Sequence, residues 1–123
     1  MMYLVKIGTR GGLSKVSSPT GDIPYDVLMG LGYVPGRDRK ADWNLQRMGI
    51  RYADIPLWLY YRGKGAGLSL NELATYLLGN REIVYGNAIL AYASDYMPDG
   101  CAGSELQSLN LINSLKVLKN QIK

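Results

Sequence analysis

Apolar positions recur along the chain at two different periods, and the change of period marks its elements. Residues 2–8 (MYLVKIG) and 13–17 (LSKVS) are short runs that read as two strands. Gly8-Thr9-Arg10-Gly11-Gly12 supplies the turn between them, so the N-terminus is expected to form a hairpin. After the loop Ser17–Gly21, Asp22 stands before Ile23-Pro24, and Val27, Leu28, Met29 and Leu31 follow. An Asp cap with Pro in the first turn starts a helix, which Gly30 and Gly32 end. Val34-Pro35-Gly36 is a turn. Residues 42–48 (DWNLQRM) read as a short helix capped by Asp42 and stopped by Gly49. The triplet Asp-Ile-Pro returns at Asp54 and offers a further helix start, against which the aromatic content of 57–61 argues for a strand.

The second half carries the clearer signals. Ser69 and Glu72 make a capping box, and Leu68 and Leu73 a hydrophobic staple, so a helix is expected over 68–79. Leu70, Leu73, Ala74 and Leu77 share its face, and Gly79 fits a left-handed stop. Residues 81–97 support either a helix broken near Gly86 or two strands, Glu82–Tyr85 and Ala88–Tyr92, joined by Gly86-Asn87; Ile83, Val84 and Tyr85 favour the strands. Asp99-Gly100 signals a turn, and Ser104 with Gln107 forms a second capping box. From there Leu111, Leu115, Leu118 and Ile122 recur at helical spacing, with Ile112 beside them. Lys116, Lys119 and Lys123 near the end suit the helix dipole. The expected fold is one α+β domain over 1–123. A small antiparallel sheet, built from the N-terminal hairpin and the 82–96 region, is packed by two to four short helices, including the C-terminal amphipathic one.

Composition narrows the chemistry. The chain has no His and one Cys, Cys101, so Cys/His zinc sites within one chain and Ser-His-Asp or Cys-His nucleophile systems are excluded. No intrachain disulfide can form, no apolar run is long enough to span a bilayer, and the first residues lack a signal-peptide layout; a cytoplasmic protein without membrane partners is expected. There are ten Tyr and no Phe, which places many phenols at the edge of the core or in a pocket wall. The net charge is +4. Seven basic residues between Arg37 and Lys64 stand against Asp38, Asp42 and Asp54, so this segment alone accounts for that excess. It also holds Trp43, Trp58, Tyr52, Tyr60 and Tyr61, and cations interleaved with aromatics suit phosphates and bases.

Within that segment the strongest candidate site is Arg62-Gly63-Lys64-Gly65-Ala66-Gly67, leading into the helix expected at Ser69. Glycines let backbone amides approach an anion. Arg62 and Lys64 add charge, the helix start adds N–H groups, and Tyr60 and Tyr61 upstream could stack on a base. Arg47 and Arg51 are the neighbouring cations assigned to the same site. The basic glycine turn at 8–12 is a weaker phosphate cradle that lacks any P-loop pattern. Residues 70–93 loosely resemble a helix-turn-helix through Asn71-Glu72-Leu73-Ala74 and Gly79, although Gly79 falls one residue late and the second helix would hold only one basic residue, Arg81, and an internal Gly86. Asp95, Asp99 and Glu82 are candidate magnesium ligands, or turn-forming acids.

The reading these observations favour is a small basic accessory protein that binds a phosphate-bearing ligand, nucleotide or nucleic acid. No catalytic residue, metal or cofactor is assigned. The protein resembles in kind the accessory proteins of phages and mobile elements, some of which block host defences by binding a host protein or sequestering a nucleotide signal. Two alternatives stand beside it. One is an interaction or self-assembling protein, with a homodimer through 104–122. The other is a carboxylate-dependent phosphodiesterase or nuclease.

Overall fold

The computed structural model describes residues 1–63 and 67–122. The chain is α+β: a six-stranded antiparallel sheet, an N-terminal hairpin, and three α-helices ending in a long C-terminal one. Strands β1 (Tyr3–Ile7) and β2 (Leu13–Ser17) form the hairpin. Its turn is closed by Gly8 N–H to Gly12 O at 2.7 Å, with Gly11 at φ 80°. Helix α1 (Ile23–Gly30) follows, capped as expected by Asp22, whose carboxylate accepts from Tyr25 N–H at 3.3 Å. Strands β3 (Leu45–Tyr52) and β4 (Ile55–Arg62), helix α2 (Glu72–Leu77), strands β5 (Ala88–Ser94) and β6 (Met97–Cys101), and helix α3 (Glu105–Gln121) complete the chain. The strand order is β2-β1-β5-β4-β3, with β6 also paired to β5.

Both faces of the sheet are covered. Val5, Ile7, Leu57, Leu59, Tyr61, Ala88 and Leu90 pack under α2 and α3 with Leu73, Leu111 and Leu115. Leu4, Tyr60, Ile89 and Ala91 pack under α1 with Ile23 and Val27. That explains the unbroken apolar run at the start of β5: a central strand sandwiched between helix layers has no solvent face to make polar. Along α3, Leu111, Ile112 and Leu115 are buried and Leu118 and Ile122 pack at their edge, while Ser104 and Gln107 form the expected capping box. The regular stripe on this helix therefore faces its own sheet and is not free to serve as a dimer seam. Among the described residues no helix is long and apolar enough to cross a membrane.

Several local expectations are overturned. Residues 42–48 are not a helix: a short 3₁₀ turn (Lys40–Trp43) ends at Asn44, φ 43°, and the chain enters β3. Met48, Ile50 and Tyr52 alternate onto the core, and this period of two, backed by eight rungs to β4, outweighs the local helix signals. The second Asp-Ile-Pro opens no helix, because Ala53 and Asp54 lie at φ 49° and 64° as the two central residues of a tight hairpin turn.

Helix α2 starts later than its capping box implied. Asn71, not Ser69, is the cap, and Ser69 and Leu70 are extended against Gly86 and Tyr85. Asn71 wins because its side chain is fully buried and meets three backbone groups. It accepts from Ala74 N–H at 3.1 Å and donates to Ile7 O at 3.1 Å and Gly86 O at 2.9 Å. Leu68 lies over Gly86, where a Cβ would come within 2.8 Å of its Cδ1. Residues 82–85 form no strand beyond the Tyr85–Leu70 bridge, and Val84 N–H bonds to the Thr75 hydroxyl instead. The turn lies at Asp95-Tyr96, and 99–100 belongs to β6. Because 88–94 is a central strand, there is no recognition helix and the helix-turn-helix reading falls.

Candidate functional site

Three strand ends gather at one end of the sheet: the C-terminal ends of β1 and β4 and the N-terminal end of β5. Between them lies an open cleft of about 300 Å³, lined by Thr9, Arg62, Ser69 and Asn87, by Gly67 and Gly86, and by the apolar Leu31 and Leu68. Arg62 reaches it because alternation along β4 sends Leu57, Leu59 and Tyr61 to one face and Trp58, Tyr60 and Arg62 to the other.

The guanidinium of Arg62 rests on Trp43, with its carbon 4.2 Å from the ring centroid. Trp43 in turn meets the edge of Tyr33 at 5.6 Å and an interplanar angle of 87°. This stack desolvates one side of the cation while leaving its charge unmatched. Arg62 makes no ion pair among the described residues; its one hydrogen bond runs from Nη2 to Asp42 O at a long 3.5 Å, and Nε is buried without a partner. No acidic side chain lines the cleft among the described residues. The charge of Arg62 is felt at Asp38, whose carboxyl is held below its usual range by the Arg37 hydrogen bond first, then by Val34 N–H, with a smaller pull from Arg62.

The other expected site residues are dispersed. Tyr60 and Tyr61 are buried on opposite faces of the sheet and cannot stack on a ligand; burial pushes both phenols up. Tyr60 donates to Asp99 O at 2.6 Å. Arg47 lies over Trp58 at 4.2 Å, pairs with Asp99 at 2.9 Å and donates to Pro98 O, so it clamps β6 to the sheet. Arg51 sits at the far end of the β3–β4 hairpin, six residues along the ladder from Leu45, the partner of Arg62. At about 3.3 Å per residue that is roughly 20 Å away.

Gly63 bonds through N–H to Asn44 O at 2.8 Å, and the side-chain ends of Gln46 and Asn44 lie over the place a Cβ would take, at 2.5 and 2.7 Å. Lys64 and Gly65 lie outside the described residues. Ser69 and Gly67 do line the cleft, but Ser69 is not a helix cap, and the six-residue α2 is closed at its start by buried Asn71. The helix-dipole part of the expected site is withdrawn for that reason.

Sequence reasoning missed Thr9, Asn87 and the stacking role of Trp43. Thr9 left a trace within the basic glycine turn, and Trp43 one among the aromatics interleaved with the cations of 37–64. Among the described residues no three His, Cys, Asp or Glu side chains converge as metal ligands, and Asp99 is engaged by Arg47. Cys101 donates to Tyr92 O at 3.4 Å. Comparison with known proteins gives no match to a family model, a curated protein or a solved structure.

Proposed function

We propose that this chain is a small basic binding protein that takes a phosphate-bearing ligand, a nucleotide or nucleic acid, in the cleft at the end of β4. The observation that carries the reading is Arg62: a guanidinium flattened on Trp43, facing an acid-free cleft, with no carboxylate partner among the described residues. A stacked arginine keeps its fork of N–H donors in a fixed plane, and phosphate oxygens match that fork. Nε is shielded, so the ligand meets the two terminal nitrogens first. The hydroxyls of Thr9 and Ser69 and the Asn87 amide supply neutral hydrogen bonds, and Gly67, with open space where a Cβ would stand, lets the ligand approach the backbone. A cytoplasmic accessory role of phage or mobile-element type, acting on host defence, is the setting this chemistry suits.

Titration calorimetry with nucleotides, cyclic nucleotides and short oligonucleotides tests the reading. Binding is expected to weaken with salt and to fall about 10- to 100-fold in Arg62→Ala, the value of one charge-assisted contact. Flat titrations across the set at millimolar ligand, with a folded protein, refute it.

A second reading, self-assembly through 104–122, rests on a different face of α3 from the buried stripe: Leu106, Leu109 and Val117 are exposed along its outer side. A concentration-independent monomer mass in light scattering removes that reading.

A further inference from the structure

The Arg62 cleft does not end at Thr9. A second cleft of about 330 Å³, lined by the β1–β2 turn, the start of α2 and the end of α3, shares that residue with it. One wall of the combined groove is the hairpin turn: Thr9 is shared by both halves, and Arg10 and Gly11 follow in the second. The other wall is the chain from Gly67 to Leu73, with Leu68 and Ser69 lining the first half and Leu70 and Leu73 the second. Arg62 lines the first half and Lys119 of α3 the second.

The charges follow this line. Arg62 marks the first half; Arg10 and Lys119 mark the second. Lys119 donates to Gly11 O at 3.0 Å, which fixes its ammonium on the groove wall without neutralising it, because the acceptor is an uncharged carbonyl. Glu72 is the one acid lining either half among the described residues. Three cations against one carboxylate, divided between two clefts that share Thr9, are more than a single compact phosphate engages. Each half alone is the size of a small-ligand pocket. Leu68 and Leu70, both exposed, offer apolar surface beside the cations, and a positively charged groove is what tracks a sugar-phosphate backbone.

We infer that the ligand is single-stranded nucleic acid, with successive phosphates lying along the groove from Arg62 past Thr9 to Arg10 and Lys119. This rests on the phosphate-binding reading above and goes beyond it by excluding a lone nucleotide as the preferred guest.

Fluorescence anisotropy with labelled hexathymidylate, competed by unlabelled dTMP and by dTDP, separates the two claims. Hexathymidylate is expected to bind at least 10-fold more tightly than either nucleotide. The double variant Arg10→Ala with Lys119→Ala is expected to bring the oligonucleotide down to nucleotide level and to leave nucleotide competition unchanged. The salt slope of the double variant is expected to fall by about 0.7 for each phosphate that is no longer neutralised. Glu72→Gln is expected to tighten the oligonucleotide a few-fold and leave the nucleotides unaffected, an arm in which misfolding cannot imitate success. Nucleotide binding that disappears in Arg62→Ala, together with hexathymidylate no tighter than dTMP or indifferent to Arg10 and Lys119, overturns this inference and leaves the phosphate site standing. Failure of every probe to bind overturns both.

Discussion

Asn71 is the most exposed test of how this fold is held, because a change of one atom type separates its contributions. Asn71→Asp preserves size and the bond from Ala74 N–H, and Asp caps helices as well as Asn does. It removes the two N–H donors that reach Ile7 O and Gly86 O and sets an oxygen against those carbonyls at a fully buried position. Each buried acceptor left unpaired costs about 1–3 kcal/mol, so a loss of about 3–5 kcal/mol at neutral pH is expected. For a chain of 123 residues this corresponds to a drop in Tm of roughly 12–20 °C.

The loss should also depend on pH. A buried carboxyl facing carbonyl oxygens is held above its unfolded value near 3.9. The folded variant then binds protons more readily than the unfolded chain. Its deficit relative to the parent is smallest below the unfolded value and grows as pH rises toward the folded one. Asn71→Ala loses cap and donors together and shows no such extra slope. Urea unfolding followed by circular dichroism at pH 4 and pH 7.5 measures both. A variant within 1 kcal/mol of the parent at pH 7.5, or a deficit identical at the two pH values, refutes the assigned role.

Ala53 and Asp54 both occupy left-handed backbone in an exposed turn, so Ala53→Asn with Asp54→Gly is expected to stabilise the chain by about 1 kcal/mol, visible as a rise of a few degrees in a thermal melt. A Cβ at Gly103 would lie 2.3 Å from the Tyr92 ring, in a residue bonded both ways to Tyr3 at 2.8 Å; Gly103→Ala is therefore expected to cost about 1–3 kcal/mol, and an unchanged urea midpoint would show that the ring has room to move. The Asp38 carboxyl is held low by Arg37. Its contribution is present above the ordinary Asp value and disappears as pH falls through the lowered one, and carbon-detected NMR titration should show it returning toward the ordinary value in Arg37→Gln.

What the sequence by itself determined was the content of local, short-range physics. The β1–β2 hairpin, the Asp22 cap of α1, the Ser104–Gln107 box of α3 and its buried stripe each depend on residues a few positions apart, and each stands in the structure. The α+β class followed from them. What tertiary structure decided were the cases where distant partners outweighed local preference. Eight rungs to β4 made 45–52 a strand, and the carbonyls of Ile7 and Gly86 drew the cap of α2 from Ser69 to Asn71. Residues 88–94 became a central strand because β1 and β4 lay on either side. The site divides the same way. Arg62, Gly67 and Ser69 were legible as a basic glycine segment, but whether a cation is free or engaged depends on what folding brings beside it. Asp99, far along the chain, engaged Arg47, and no carboxylate among the described residues engaged Arg62. Thr9 and Asn87 joined the cleft only because antiparallel pairing puts the end of β1 beside the start of β5, a proximity that no spacing along one chain encodes.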